Sequence, residues 1–581
     1  MPSLTLNGQS VTVADGATIL EAARSHGVSI PTLCWYAKLP VAGNCRICVV
    51  SVEGQPKLLP ACATRVTDGM RVETESVAAV EARRGVLELL LERYPADHLT
   101  NGGRAEPHNE FEQYVMQYGV QPRPVAGREL HLRTGDQRPG DPMIQHDMSL
   151  CILCTRCVRA CEDIQVVGVL DVAHRGEHAQ IIVGADGDPD KAACTWCGEC
   201  VRVCPTGAIF EVLPKERFGS ARVQADRVVR SVCPYCGVGC QVDLQVRNNE
   251  ITRVTSPNIE LNTPNQGSTC VKGRFGYDFV QHRDRLTTPL IRRGWTKKGG
   301  RWEWEGPGGA ERRSGPWQTI ADEGLKDKPP APPRAAGKRL RDLPLLTRVA
   351  QDVRDRAATP SDWHLPFRPA TWDEALGLVA QELKRIHAAH GPRAMAVFQS
   401  AKCTNEENYL LQRLFRGAFG TNNIDHCTRL CHSTSVSAMQ AALNTAAASG
   451  SMREIEEACD VIFISGANTT ETHPVFGALI KRAVSKGARL IVADVRRTEL
   501  AELADVHLQM LPGTDVALYN GMLSHVIAAG LVDRDFIEKR THDFEKLKEA
   551  VAPYTPEKVA KITGVPAAIL RAAAEMYARG P

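Results

Sequence analysis

The chain has 581 residues, a formal net charge of +3 and 20 cysteines. Its length implies several domains, its charge gives nucleic acid no electrostatic hold, and no apolar run reaches the roughly 20 residues that cross a bilayer. The N-terminal "MPSLTLNGQSVTV" has no basic n-region, apolar h-region or twin arginine, which predicts a cytoplasmic protein. Cysteines in this number there predict metal ligation rather than disulfides.

In chain order, "SLTLNGQSVTV" alternates about Asn7-Gly8 and predicts a hairpin. "DGATILEAARSHG" predicts a short helix closed by Gly27, and "RICVVSV" a further strand. These elements surround Cys34, Cys45, Cys48 and Cys62. Residues 1–80 therefore read as a small ferredoxin-like (β-grasp) module whose thiolates hold one [2Fe–2S] cluster. The C-x10-C-x2-C-x13-C spacing is not the plant type. It resembles the N-terminal domain of the large subunit of respiratory NADH dehydrogenase. Zinc is the alternative, disfavoured by the small-residue loop "VAGNCRIC".

Residues 81–140 contain no cysteine. Residues 141–220 then carry "CILCTRCVRAC" and "CTWCGECVRVCP", each C-x2-C-x2-C-x3-C. In such pairs the fourth cysteine serves the other cluster. One [4Fe–4S] cluster is expected on Cys151, Cys154, Cys157 and Cys204, and another on Cys194, Cys197, Cys200 and Cys161. Residues 226–291 hold a fourth set, Cys233, Cys236, Cys240 and Cys270, with room for a third [4Fe–4S] cluster. Cys459, in "ACDVIFISG", is expected in the core. Cys403 stands at a loop-to-helix junction. Cys427 and Cys431 are one helical turn apart, and pattern alone does not choose between them.

The stretch "CPYCGVGC … GSTCVKGRFG", with "AKCTNEENYLLQRLFRGAFGTNNIDHCTRLCHSTSV" beyond it, resembles the molybdenum- or tungsten-dependent formate dehydrogenases of the dimethyl-sulfoxide-reductase superfamily. The resemblance implies that Cys431 ligates the metal and that His432 is the adjacent catalytic histidine. It places Lys272 between the cluster and a pterin as an electron conductor. The residue types suit these roles: a soft thiolate fits Mo or W, and imidazole titrates near neutral pH. Without the resemblance, a buried thiol, a core histidine and a surface lysine would be the plain readings.

"AMAVFQS", "DVIFISG" and "ARLIVAD" alternate with helical stretches, as in a parallel sheet covered on both faces. Ligands bind beyond the carboxyl ends of such strands. The resemblance implies a bis-molybdopterin guanine dinucleotide there, with Gly466, Asn468, Glu471 and His473 in one loop, Asp494 and Arg496 in a second, and Gly513 and Asp515 in a third. Val495 stands where the family usually has proline.

Three departures stand out. Longer relatives carry a further cluster held by one histidine and three cysteines, but here His98 and His108 lack any cysteine partner. Residues 292–366, with "RWEWEGPGG" and "KDKPPAPPRAAGKR", read as an exposed, partly disordered insertion. The pterin-binding α/β domain, residues 367–581, reads as partial, so the chain is expected to be a fragment or a truncated reading frame. The fold class expected is multidomain α+β and α/β. The function implied is formate oxidation to CO2, with electrons relayed through the clusters to a flavin- and NAD-binding diaphorase-type partner. The rivals are an assimilatory nitrate reductase and an electron-transfer subunit like the NADH dehydrogenase large subunit.

Overall fold

The computed structural model describes residues 1–95, 99, 109–122, 141–184, 192–218, 223–257, 263–282, 285–305 and 367–580. His98, His108 and residues 306–366 lie outside them. The chain divides into two units, Met1–Gln281 with Ala448–Pro581, and His282–Ala447.

The first unit opens with a five-stranded sheet. Its order is Gln9–Thr12, Ser3–Leu6, Met70–Glu73, Val49–Val52 and Leu59–Pro60. Asn7 and Gly8, both at positive φ, make the tight turn between the first two strands. Ser3–Leu6 runs parallel to Met70–Glu73, a pairing across more than sixty residues. The helix Ile19–Ser25 starts at a Thr18/Glu21 capping box and buries Ile19, Leu20, Ala22 and Ala23. Those side chains share a core with Leu4, Leu6, Val50 and Val72. Leu33 and Ile47, in the cysteine loop, pack instead with Leu87, Leu91 and Phe111 of the helices Val77–Leu91 and Glu110–Gln117. The loop is thereby held from both sides.

Two short antiparallel pairs follow, Ile144–His146 with Ile209–Glu211 and Leu170–Ala173 with Gln180–Val183. Between them each cysteine triplet runs into a short helix, Arg156–Arg159 or Glu199–Val203. The strands Arg227–Val232, Gln241–Arg247 and Glu250–Thr255 form an antiparallel sheet beside the helix Val271–Phe275.

The rest of the unit is a parallel sheet of Val461–Ser465, Arg489–Ala493 and Val506–Leu508. Alternate residues of its central strand enter different cores. Ile491 and Ala493 pack with Leu518 and Leu570, whereas Leu490 and Val492 pack with Ile480 and Leu500. Helices thus cover both faces, as the apolar runs predicted. Cys459 departs from expectation: it is exposed at the end of the helix Met452–Ala458, ahead of the strand rather than in the core.

In the second unit, Val397–Gln399 pairs parallel with Ile424–His426. The helix Trp372–His390 begins at a Thr371/Glu374 capping box. The start of the supposed loop 292–366 is ordered structure. Trp295–Lys298 and Arg301–Trp304 form a hairpin about Gly299-Gly300, with Trp295 and Trp304 packed edge-on at 5.5 Å. A cross-strand aromatic pair and a two-glycine turn outweigh the Gly- and Arg-rich composition here. Among the described residues, no helix is long and apolar enough to cross a membrane.

Candidate functional site

All sixteen cysteines of the four sets lie in the first unit. Cys34 and Cys45 are joined by a thiol hydrogen bond, as are Cys48 and Cys62, and Cys62 interacts with the other three. These bonds hold Cys34 down at about 5 and Cys48 at about 7 and push their partners upward. Cys157 interacts with Cys151, Cys154 and Cys204. Cys161, Cys194, Cys197 and Cys200 line one small cavity, and Cys233, Cys236, Cys240 and Cys270 another. The fourth cysteine of each ferredoxin-type run faces the other run's triplet.

Burial pushes Cys154, Cys197 and Cys240 up to about 12 and Cys157 well above the ordinary thiol range. Such thiols give up their protons only to a strongly cationic partner. The buried sets therefore fit a thiolate-ligated cationic group, such as an iron–sulfur cluster. Among the described residues, no three His, Cys, Asp or Glu side chains converge closely enough for a single metal ion. A cluster spreads its ligands over several irons. Backbone amides already point at the sulfurs: Leu153 N–H donates to Cys151 Sγ at 3.4 Å, Trp196 to Cys194 at 3.5 Å and Val169 to Cys161 at 3.3 Å. Hydrogen bonds of this kind tune cluster potentials.

Lys272, on the helix Val271–Phe275, lines the small cavity of the fourth set. It also lines a cavity of about 230 Å³ whose walls include Gln165, Thr195, Cys197, Cys270 and Glu471. One side chain thus reaches between two cysteine sets and the loop after Val461–Ser465. Gly276 closes this motif: a Cβ there would lie 2.6 Å from both Lys272 O and Tyr235 Oη.

The three candidate pterin loops leave the carboxyl ends of the parallel strands. Gly466 follows Val461–Ser465, Asp494 follows Arg489–Ala493, and Gly513 lies beyond Val506–Leu508. Gly466 and Gly513 have positive φ and open space where a Cβ would lie, a backbone that a phosphate can approach. Asn468 is the residue before the turn Thr469–Thr472, and Glu471 is exposed on that turn. His473 Nδ1 meets Thr472 Oγ1 at 2.9 Å, and its ring faces Gly237 of the fourth cysteine set. Asp494 is buried and accepts from Arg496 N–H at 2.8 Å, while Arg496 itself is exposed. Asp515 begins the helix Asp515–Ala528.

Cys431 and His432 lie in the second unit. Cys431 ends the helical turn Thr428–Cys431 and is exposed, and its N–H donates to Cys427 O at 3.2 Å. His432 connects that turn to the helix Ser433–Leu443. Cys427 is also exposed, but it accepts from Ala401 N–H at 3.3 Å and sits 3.6 Å from His426 Nδ1.

Four families match successive parts of the chain. Residues 2–77 match the 2Fe-2S iron–sulfur cluster binding domain, and 141–210 the ferredoxin-like domain of NADH-quinone oxidoreductase subunit 3. Residues 226–282 match the molybdopterin oxidoreductase Fe4S4 domain, and 353–574 molybdopterin oxidoreductase itself. Successive stretches of the chain thus resemble [2Fe–2S], ferredoxin-like, [4Fe–4S] and molybdopterin-oxidoreductase domains. It is similar to the alpha subunit of an NADPH–Fe(3+) oxidoreductase of Geobacter sulfurreducens, at 32% identity over 99% of this chain and 58% of that one. It is similar to the probable oxidoreductase YjgC of Bacillus subtilis, at 29% over 99% and 54%. A putative formate dehydrogenase of Staphylococcus aureus is 27% identical over the same shares. The chain spans a little over half the length of these relatives.

Sequence reasoning missed the arginines inside the cysteine motifs. Arg156, buried, pairs with Glu110 at 2.9 Å and donates to Thr32 O at 3.1 Å. Arg202 pairs with Glu199 at 2.6 Å and donates to Tyr36 Oη at 3.3 Å. Both guanidinium groups lie 5.5 Å from the centre of the Tyr36 ring. Arg274, equally buried, donates to Cys197 O at 3.2 Å and pairs with Glu211 at 3.1 Å. Their signal was present in "CTRCVRAC", "CVRVC" and "CVKGRFG", where a charged residue inside a cysteine turn needs a partner.

Proposed function

We propose that this oxidoreductase takes electrons from formate, releasing CO2, and passes them through its iron–sulfur sites to a flavin- and NAD-binding partner subunit. The observation that carries the reading is the Cys431-His432 pair, exposed at the end of a helical turn within the region matched to molybdopterin oxidoreductase. The name of the Staphylococcus relative supports formate as substrate.

Cys431 would ligate Mo or W as a thiolate, and the loops of Gly466, Asn468, Glu471 and His473, of Asp494 and Arg496, and of Gly513 and Asp515 would hold a bis-molybdopterin guanine dinucleotide. The bound metal–pterin group supplies the two-electron chemistry. His432 takes the substrate-derived proton on its ring. Lys272 lies on the way out, beside the set of Cys233, Cys236, Cys240 and Cys270. The sixteen cysteines would hold one [2Fe–2S] and three [4Fe–4S] clusters, about fourteen irons in all.

A second reading, an electron-transfer subunit without metal–pterin chemistry, is favoured by the ferredoxin-like match over residues 141–210. Metal analysis and formate-dependent dye reduction on the protein from its host separate the two. Mo or W with formate activity supports the first, and iron alone supports the second. Cys431→Ala should abolish formate-dependent dye reduction and leave the iron content unchanged, while Cys427→Ala should cost only about 1–2 kcal/mol of stability. Activity that survives Cys431→Ala and dies with Cys427→Ala would reassign the ligand.

A further inference from the structure

Arg159 ends the short helix Arg156–Arg159 and lies between two cysteine loops. Its Nη2 donates to the carbonyl of Cys34 at 2.5 Å and to that of Cys154 at 3.4 Å. Its Nη1 donates to Pro40 O at 2.6 Å, and its Nε to Thr155 Oγ1 at 3.4 Å. Arg156 and Arg202 also clamp the N-terminal loop, but through Thr32 and Tyr36. Arg159 alone of the three bonds to the backbone of candidate ligand cysteines, and it bonds to one from each of two sets. No cysteine stands between Cys62 and Cys151 in the sequence.

We infer that Arg159 is a positioning residue for electron exchange between the [2Fe–2S] site and the site of Cys151, Cys154, Cys157 and Cys204, and that it raises the potential of the former. The inference rests on reading those eight cysteines as cluster ligands. The exchange is of one electron: the [4Fe–4S] site is oxidised by one, the [2Fe–2S] site is reduced by one, and no bond or proton moves. A fixed cation beside a site that gains negative charge favours its reduced form. The planar fork reaches two carbonyls at once, which an ammonium on a flexible stem does not reproduce.

The test is a redox titration followed by electron paramagnetic resonance on the cluster-loaded full chain, with rapid-mixing reduction to time the exchange. Arg159→Gln should weaken reduction of the [2Fe–2S] site about tenfold, which is 59 mV for a one-electron couple. Arg159→Lys should keep the midpoint within about threefold, because the charge remains, yet slow the exchange at least tenfold, because the fork is lost. Arg71→Gln, which removes an exposed arginine paired with Glu53 on the sheet, should change neither. A [2Fe–2S] signal that is present in Arg159→Gln with an unmoved midpoint overturns the inference alone. Should that variant fail to assemble, an unchanged exchange rate in Arg159→Lys overturns it. A wild-type chain with no [2Fe–2S] signal overturns the ligand reading, and the inference with it.

Discussion

Residues 151–157 and 194–200 form two loops with one backbone and different neighbours. Leu153 and Trp196 stand at φ 55° and 48°, and each N–H points at the first sulfur of its loop. Two residues on, Thr155 and Gly198 stand at φ 59° and 74°. The left-handed turns aim the amides inward in both loops, so the fold of each follows from its cysteine spacing. The residue at the fifth position does not. Above Gly198 lies Arg274, whose Cδ would be 2.1 Å from an added Cβ. Beside Thr155 lies Arg159, which instead donates to the hydroxyl. A repeated backbone thus takes its side chains from whatever packs on it: a neighbouring domain's arginine in one loop, and the loop's own helix in the other.

The largest expected effect breaks that contrast at its tighter end. Gly198→Ala must displace Arg274 from Glu211 and Cys197 O, at a cost of about 3–5 kcal/mol for a disrupted buried pair, and should lose about four irons. Iron analysis and thermal melting check it, and a variant with wild-type iron and melting temperature refutes the steric account. Arg274→Met should cost a similar amount by stranding the Glu211 carboxylate. Adding Gly198→Ala to it should then cost only the strain of alanine at φ 74°, about 1–2 kcal/mol, less than the single variant's loss because the clash is gone. Additive losses would mean that Gly198 is constrained by its φ and not by Arg274.

A smaller effect tests how the far side of the first loop is held. Arg482 donates to Ile164 O at 2.7 Å and pairs with Glu456 at 2.8 Å, tying the helix Pro474–Ser485 to the segment after Cys161. Burial pushes the Glu456 carboxyl up, but Arg482 and Lys486 outweigh it and hold it down at about 2. A depressed carboxylate stabilises the fold above its unfolded pKa, near 4.3, and that contribution fades as pH falls toward 2. Glu456→Gln should therefore be about 1–2 kcal/mol less stable than wild type at pH 7. The gap should narrow below pH 4.5 in parallel denaturant melts, and a gap independent of pH would show that the pair contributes no charge-dependent stability.

What was legible in the sequence was local. Asn7-Gly8, the helix closed by Gly27 and the apolar runs each write their structure within a few residues, and cysteine spacing grouped the four sets. The unseen parts depend on distant partners. Met70–Glu73 runs parallel to a strand more than sixty residues away, and no local pattern names that pairing. The hairpin about Gly299-Gly300 was hidden by the composition of the segment that contains it, although its two-glycine turn was readable. Cys459 looked like core because it adjoins an apolar strand, yet it lies two residues short of Val461–Ser465, at an exposed helix end. The arginine bonds to Cys34 O and Cys197 O join distant segments: the cysteine motifs show that Arg159 and Arg274 need partners, but nothing local names those partners.

The smallest effect lies at the looser end of the comparison. Thr155 is β-branched and held at φ 59°, a conformation that costs such a residue of order 1–3 kcal/mol. Glycine would relieve that strain but would release roughly 0.5–1 kcal/mol of extra chain entropy on unfolding. It would also remove the long bond from Arg159 Nε at 3.4 Å, which is worth little. The balance favours Thr155→Gly by up to about 1 kcal/mol, with iron content unchanged, the reverse in sign of Gly198→Ala. Denaturant melts of the two variants side by side check this. A destabilised Thr155→Gly would mean that the hydroxyl bond to Arg159 outweighs the backbone strain, and that the two loops are equally dependent on their arginines.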